Sequence, residues 1–160
     1  MIDGRIETQA NLADGVVAWI NSAGSAGTAQ INLSETADVT TRGDEAQGVW
    51  AVNANLGAAY IDSAGRARTT GDLSAGLFTY SYDAANTADM RIDLREGGSV
   101  TTEGDDSPGV FLYHAGTGDA VAALETGTSV RTSGQRSDGV RAVTDGTALV
   151  TQSSGASINA

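Results

Sequence analysis

The sequence predicts an all-β fold, a right-handed parallel β-helix (β-solenoid) with about five coils of roughly 28–33 residues. The first observation is a phrase that recurs five times, beginning at Ile6, Val39, Ala67, Val100 and Val130. The second is the pattern inside each copy, where apolar and polar residues alternate with the period of two that is typical of strands. A repeat of this length with strand-like content is typical of a stacked solenoid.

Two positions of the phrase are especially regular. A threonine occupies the third position and a glycine the tenth, and a Val or Leu follows that glycine. A helical repeat is excluded because no segment spaces its apolar residues by three and four, and because glycine is too frequent. The two sets are Thr8, Thr41, Thr69, Thr102, Thr132 and Gly15, Gly48, Gly76, Gly109, Gly139.

The first strand of each coil lies at the start of the phrase. In Val39-Thr40-Thr41 the first and third side chains are expected to point inward and the second outward, since successive strand residues alternate between faces. A turn follows, marked by Gly-Asp doublets. The predicted outward positions are Glu7, Thr40, Arg68, Thr101 and Arg131.

The second strand starts after the tenth-position glycine, with Val49 and Ala51 or Val110 and Leu112 predicted to point inward. A third strand is predicted at residues 29–33, 90–94, 120–124 and 148–151, and variable loops at 53–57 and 81–88. Each strand would pair with its counterpart one coil away, about 4.8 Å along the axis. We therefore predict that residues 1–160 form a single β-helix segment.

Composition narrows the classes of function. Twenty acidic groups against nine basic ones, all arginine, give a net charge of -11, which argues against nucleic acid as a partner. The absence of cysteine excludes disulfides and thiolate metal sites. No apolar run reaches membrane-spanning length, so membrane insertion of this segment is not expected.

The two ends of the sequence predict a piece of a longer protein. The start MIDGRIETQ lacks the basic-then-apolar order of a signal peptide, and the terminal SINA resembles the opening of a sixth copy.

In a β-helix each repeat position forms a column along the axis. Alternation places the threonine column inward, where the hydroxyls would bond to backbone at a corner. The alternative is an outward threonine array that binds ice. We favour the structural role for this column.

A second column is formed by turn residues with carboxylate or amide side chains. We interpret each as accepting a hydrogen bond from turn backbone two residues on, as aspartate commonly does. The alternative is calcium held between coils by Asp44, Asp72 and Asp105, and we predict neither a metal nor another cofactor. The column comprises Asn11, Asp44, Asp72, Asp105 and Gln135.

The outward positions of the second strand carry six of the eight aromatic residues. An exposed patch of this kind marks a contact surface for a protein, a glycan or a neighbouring domain. The alternative is that aromatic residues suit strands and shield one another when stacked. The two columns are Val17, Trp50, Phe78, Phe111, Arg141 and Trp19, Val52, Tyr80, Tyr113, Val143, with Tyr60 and Tyr82 predicted to lie elsewhere. The aromatic stripe is defined as Trp19, Trp50, Phe78, Tyr80, Phe111 and Tyr113.

One predicted turn contains the tripeptide Arg42-Gly43-Asp44. An RGD sequence in an exposed loop is apt for integrin binding. The Gly-Asp pair, however, recurs in this turn by the rule of the repeat, and only Arg42 is additional. We interpret the tripeptide as a by-product of the repeat and keep integrin binding as the alternative.

Catalytic candidates are few. His114 is the only histidine and is predicted to be an exposed residue at a strand end, so a Ser–His–Asp triad would depend on it alone. Asp105, Asp106 and Asp119 are the carboxylates to consider for glycan cleavage. We predict that the segment is not an enzyme, with a polysaccharide lyase or tailspike-type hydrolase as the alternative.

The phrase resembles the passenger repeats of bacterial autotransporters of the pertactin-like type. The residues that carry the resemblance are TTEGDDSPGVFL at 101–112 and TTGDLSAGLFT at 69–79, within a repeat region spanning residues 6–158. The resemblance implies a right-handed parallel β-helix exported through the outer membrane to the bacterial surface or the extracellular space. It also implies an adhesin or scaffold that binds a protein or glycan of host or sibling cells, or self-associates end to end or laterally. It brings no catalytic motif.

Overall fold

The computed structural model describes all residues from Met1 to Ala160 and consists of sixteen strands and connecting turns, without a helix. Three strands make one coil, and about five coils stack along one axis, so the predicted all-β solenoid is confirmed. The strands are β1 Arg5–Thr8, β2 Val16–Ile20, β3 Ala29–Leu33, β4 Asp38–Thr41, β5 Val49–Asn53, β6 Ala59–Ser63, β7 Arg66–Thr69, β8 Leu77–Ser81, β9 Met90–Leu94, β10 Ser99–Thr102, β11 Val110–His114, β12 Ala120–Leu124, β13 Ser129–Thr132, β14 Val140–Val143, β15 Ala148–Gln152 and β16 Ser157–Asn159.

Every third strand belongs to the same parallel sheet. The first sheet has the order β1-β4-β7-β10-β13-β16, the second β2-β5-β8-β11-β14 and the third β3-β6-β9-β12-β15. Equivalent residues lie opposite one another, as Val100 lies opposite Ala67 and Val130, so each repeat position does form a column. Ile158 pairs with Val130, which confirms that the terminal segment starts a sixth coil.

The inward columns fill the space between the three sheets. Burial alternates residue by residue along β8 and β11, and Leu77, Leu112, Met90 and Ile92 are almost fully buried. Burial of these apolar side chains is the main driving force for stacking one coil on the next. The predicted inward phase of the first and second strands is therefore confirmed.

The threonine column closes the corner between the first and second sheets. Thr41 Oγ1 donates to the carbonyl oxygen of Ala46 at 2.8 Å, and Thr102 Oγ1 donates to that of Ser107 at 2.6 Å. The same bond across the turn recurs at Thr8, Thr69 and Thr132. The threonines thus point inward and bond to backbone, as predicted.

A buried serine column, not predicted from the sequence, joins the turns of successive coils. Ser107 Oγ donates to the carbonyl oxygen of Gly71 at 3.0 Å and accepts the backbone N–H of Ser74 at 3.0 Å. Ser74 and Ser137 make the equivalent pairs of bonds. These hydroxyls satisfy backbone groups that burial would otherwise leave unpaired.

The same corner contains one residue per coil with a left-handed backbone. These five residues have φ between 51° and 60°, a conformation that costs a side-chain-bearing residue roughly 1–2 kcal/mol. The backbone N–H of the first four of these residues donates to a carbonyl oxygen of the next coil, which offsets part of this cost. We call the set the corner ridge: Leu12, Glu45, Leu73, Asp106 and Arg136.

One outward residue departs from the predicted exposure. Thr40 lies on the outer face of the first sheet, as predicted, but retains only 8% of its accessible surface. It lies in register between Glu7 and Arg68, two longer side chains that flank it on either side. Outward direction and solvent exposure are therefore different properties in a stacked sheet.

The aromatic stripe and the adjoining groove

The aromatic stripe lies on the outer face of the second sheet. Along β5 and β8, Val49 and Leu77 are fully buried, whereas the next residues, Trp50 and Phe78, are half-buried. The predicted inside–outside phase of this strand is confirmed. The rings belong to four successive coils and form one continuous surface.

The inner rings stack on one another along the axis. Phe78 and Phe111 have centroids 4.8 Å apart and planes 4° apart, and Trp50 lies 5.9 Å from Phe78 with planes 3° apart. In the neighbouring column Tyr80 stacks on Tyr113 at 4.9 Å. Such pairs contribute about 0.5–1.5 kcal/mol each beyond burial. The inner rings therefore stabilise the coils, and their faces are occupied by neighbouring rings.

The two ends of the stripe are different. At one end the Arg141 guanidinium lies 5.4 Å from the centre of the Phe111 ring, within cation–π range. At the other end Trp19 tilts by 32° against Trp50, with centroids 6.2 Å apart, and remains 56% exposed. Trp19 is thus the ring with the largest free surface.

Two outward residues differ from expectation. Val52 belongs to the outer face but is fully buried, because it lies in register between Trp19 and Tyr80. Tyr82, predicted to lie away from the stripe, packs on Tyr80 at a centroid distance of 4.1 Å and is 48% exposed. Alternation of Phe78, Tyr80 and Tyr82 continues one residue past β8, a signal that could have placed Tyr82 correctly.

A groove of about 410 Å³ runs between the aromatic stripe and the corner ridge. The sequence does not predict this groove, since the groove depends on the left-handed corner and on the placement of Tyr82. Six of its lining residues are apolar or aromatic and three are polar. The lining residues are Leu12, Asp14, Glu45, Gln47, Trp50, Leu73, Phe78, Tyr80 and Tyr82.

Two carboxylates border this groove without a cationic partner. Asp14 Oδ1 accepts the backbone N–H of Gln47 at 2.7 Å, yet burial raises the pKa of the Asp14 carboxyl above its ordinary value. Glu45 makes neither an ion pair nor a side-chain hydrogen bond, and no arginine lines the groove. Negative charge therefore lies beside apolar surface without compensation, which is unfavourable for the carboxylate form of Asp14.

We expect the variant Asp14→Asn to be more stable than the wild type at neutral pH. An amide oxygen keeps the bond to Gln47, as Asn11 Oδ1 accepts the N–H of Asp44, and removes the cost of burying a charge. A raised native pKa lowers wild-type stability as pH rises through the carboxyl titration range. The advantage of the variant should therefore vanish below about pH 3.9, the ordinary aspartate value. Urea unfolding at several pH values checks this, and equal stability at pH 7 would contradict it.

The aspartate column bonds to the next coil rather than to its own turn. Asp44 Oδ1 accepts the backbone N–H of Asp72 at 3.0 Å, and Asp72 Oδ1 accepts that of Asp105 at 2.8 Å. Asp105 does the same for Gln135. The predicted acceptor role is correct, but the predicted partner two residues on is wrong. No group of three or more His, Asp or Glu side chains converges as metal ligands would.

The RGD tripeptide lies in the turn between β4 and β5. Arg42 Nε donates to Glu7 Oε1 of the preceding coil at 3.0 Å, and Asp44 belongs to the column just described. A Cβ on Gly43 would lie closer than 3.0 Å to the backbone of Ala10. Each of the three residues thus contributes to stacking, and integrin binding gains no separate geometric support.

His114 is buried, with 2% of its surface exposed, so the prediction of an exposed residue is wrong. It ends β11 at an inward position of the same alternation that places Leu112 inside. Nδ1 accepts the N–H of Gly116 at 2.8 Å, so Nε2 carries the ring hydrogen and donates to the carbonyl oxygen of Ala88 at 2.8 Å. Both nitrogens hold backbone in place.

The three carboxylates considered for glycan cleavage are divided between two corners. Asp105 and Asp106 lie in the turn before the second sheet, whereas Asp119 directly precedes β12 of the third sheet. Arg136 holds the pKa of the Asp106 carboxyl below its usual range through a hydrogen bond of 2.8 Å. Asp119 Oδ1 accepts the N–H of Thr147. Each carboxylate is engaged with a neighbouring coil.

The fold and site define a class of protein, a parallel β-solenoid built from sequence repeats, with an aromatic outer face. Comparison of the chain with protein-family models, curated proteins and solved structures finds no match. No helix of the structure is long and apolar enough to cross a membrane. The resemblance to autotransporter passengers therefore depends on the repeated phrase alone.

Proposed function

We propose that this segment is a non-enzymatic scaffold that binds a partner through the aromatic stripe and its groove, as an adhesin at a bacterial surface. The observation that supports this best is the continuous, half-exposed aromatic surface spanning four coils. Aromatic anchors are enriched at the energetic centres of protein interfaces. The surface location and the export route are proposed from the repeated phrase.

Rigidity of the stripe supports a binding role. Each ring is fixed by the register of parallel strands and by stacking on its neighbours, so little side-chain freedom remains to be lost on association. Trp19 and Tyr82 retain the most exposed aromatic surface and have the fewest stacking partners to disrupt. They are the residues on which binding can be tested with the least effect on the fold.

We expect the double variant Trp19→Ala/Tyr82→Ala to bind bacterial or host cells at least tenfold more weakly than the wild type. The reason is loss of two exposed anchors, each worth 1 kcal/mol or more at a typical interface. Flow cytometry with labelled protein measures the change. Leu149→Ser is the matched control, because Leu149 is 46% exposed but lies on the third sheet.

Equal binding by the double variant and the wild type would contradict the proposal. Unchanged thermal unfolding of the double variant would separate loss of contact from loss of fold. Treating the cells with protease or with glycosidases shows whether the partner is protein or glycan. Light scattering across protein concentration tests self-association. An oligomer that the wild type forms and the double variant does not would identify a second copy of the chain as the partner.

A further inference from the structure

We propose that the groove beside the aromatic stripe receives the side chain of an arginine or lysine from a basic peptide segment of a protein partner. This inference rests on the proposed function, since it assigns the chemistry of the ligand at the same surface. It concerns the groove lined by Asp14, Glu45, Trp50, Leu73 and Tyr82, among others.

The shape and lining of the groove suit a long cationic side chain. The volume of about 410 Å³ lies near the lower end of the range for ligand pockets, about 300–1,000 Å³. Leu12, Leu73 and Phe78 offer apolar surface along which the methylene stem of arginine or lysine would pack. The charged head would then lie beside Asp14 and Glu45.

The groove carries negative charge that no cation of this chain neutralises, which favours a cationic ligand. Asp14 is half-buried and Glu45 has no ionic partner, whereas Asp106, the other carboxylate of the corner ridge, is paired with Arg136. No arginine of the chain lines the groove. A net charge of -11 would also attract a basic segment from a distance.

The chain itself contains the proposed arrangement at the opposite end of the stripe. Arg141 lies over the Phe111 ring and reaches Asp138, with Nε 4.0 Å from a carboxylate oxygen. Asp138 and Asp14 occupy the same repeat position, directly before the tenth-position glycine. In the coil of Asp14 the position of Arg141 is taken by Val17, so the carboxylate and the nearby rings lack the cation.

Ring stacking favours a cationic side chain over a sugar. A sugar ring binds by lying flat on an aromatic face, but Phe78 is stacked between Trp50 and Phe111. Tyr80 is stacked on Tyr113 and is also packed against Tyr82, whose ring is tilted by 53°. The inner faces of the stripe are therefore occupied. A guanidinium or ammonium group needs only the carboxylates and the apolar walls.

The test measures binding of capped peptides to the full chain by calorimetry at low salt. The first peptide contains three arginines separated by glycine, and the second replaces each arginine with citrulline, which has nearly the same shape without the charge. We expect binding of the arginine peptide only. Asp14→Asn and Glu45→Gln should each weaken it about fivefold to tenfold, the effect of losing one charge-assisted contact.

The matched control is Glu96→Gln, which removes an exposed carboxylate that has no ion pair and lies far along the chain in another turn. Equal weakening by the control, equal binding of the citrulline peptide, or no binding of either peptide would overturn the proposal. If the peptides fail while Trp19→Ala/Tyr82→Ala still abolishes cell binding, only the ligand assignment fails. If the peptides bind as expected but cell binding is unchanged by those aromatic substitutions, the proposed adhesin role fails instead.

Discussion

A single methyl group added at Gly71 is expected to prevent the coils from stacking. A Cβ at this position would lie closer than 3.0 Å to the carbonyl carbon and oxygen of Gly43 and to the backbone nitrogen of Asp44 in the preceding coil. These are backbone atoms that cannot rotate away. Gly104 and Gly134 meet the same constraint one and two coils further along.

Relief of this clash would require the two coils to separate. Separation would stretch the bond from the Asp72 N–H to Asp44 and the bond from Ser74 Oγ to the Gly43 carbonyl. We expect Gly71→Ala to lose about 4 kcal/mol or more, the upper range for a single substitution. Since domains of this size are stable by only about 5–15 kcal/mol, the variant would lose a large share of its stability and unfold at a much lower urea concentration than the wild type. Far-UV circular dichroism and urea unfolding measure the loss.

Gly27→Ala serves as the control for a simple change of glycine to alanine. Its Cβ would approach only the Ile20 Cδ1 and Ser25 Oγ atoms, both at 3.3 Å and both at the ends of side chains. We expect a change below about 1 kcal/mol. A Gly71→Ala protein that unfolds at the same urea concentration as Gly27→Ala would show that the coils are farther apart than the structure has them.

The sequence alone is sufficient to predict the columns but not the corners. Alternation and the in-register repeat predict which residues face inward, and they predict the aromatic stripe on the outer face. The corner ridge could not be predicted, because Leu12, Glu45, Asp106 and Arg136 share a left-handed backbone without sharing a side-chain chemistry. The groove is bordered by that ridge, so it could not be predicted from the sequence either.

Two residues depart from expectation at the ends of second-sheet strands. Tyr82 and His114 both continue the alternation of the second strand, one outward and one inward. Nearby polar residues and glycine are typical of a variable loop and obscure the period of two. Asn53 and Ser81, which the sequence predicts as loop residues, are the buried last residues of β5 and β8.

Polar side chains at or after the ends of the second-sheet strands make the same kind of bonds in successive coils. Asn53 accepts the N–H of Asn55 at 3.0 Å and donates to the carbonyl oxygen of Gly27 at 2.7 Å. Asn86 makes the equivalent bonds to Ala88 and Gly57. In later coils the column continues with His114 and with Thr144, which bonds to Gly118 and Gly146. Each member fixes its own turn and joins it to the preceding coil.

We expect His114→Ala to cost about 3 kcal/mol or more. The substitution leaves the Gly116 N–H and the Ala88 carbonyl without their partners in a buried site, and it opens a cavity of the size of an imidazole ring. An unpaired buried polar group costs about 1–3 kcal/mol, and removal of a large buried side chain adds a cavity term. Urea unfolding followed by circular dichroism measures the total.

Two further variants separate hydrogen bonding from packing at this position. His114→Asn reproduces the side chain that Asn53 uses in an earlier coil, so it should regain at least half of the lost stability. His114→Leu fills a similar volume and should regain the cavity term, but it satisfies neither backbone group, so it should remain less stable than His114→Asn. A leucine variant as stable as the wild type, with an unstable asparagine variant, would mean that the ring acts by packing alone. We expect stability to decrease from histidine to asparagine to leucine at this position. That order would show that the column stabilises the stack through its hydrogen bonds between coils.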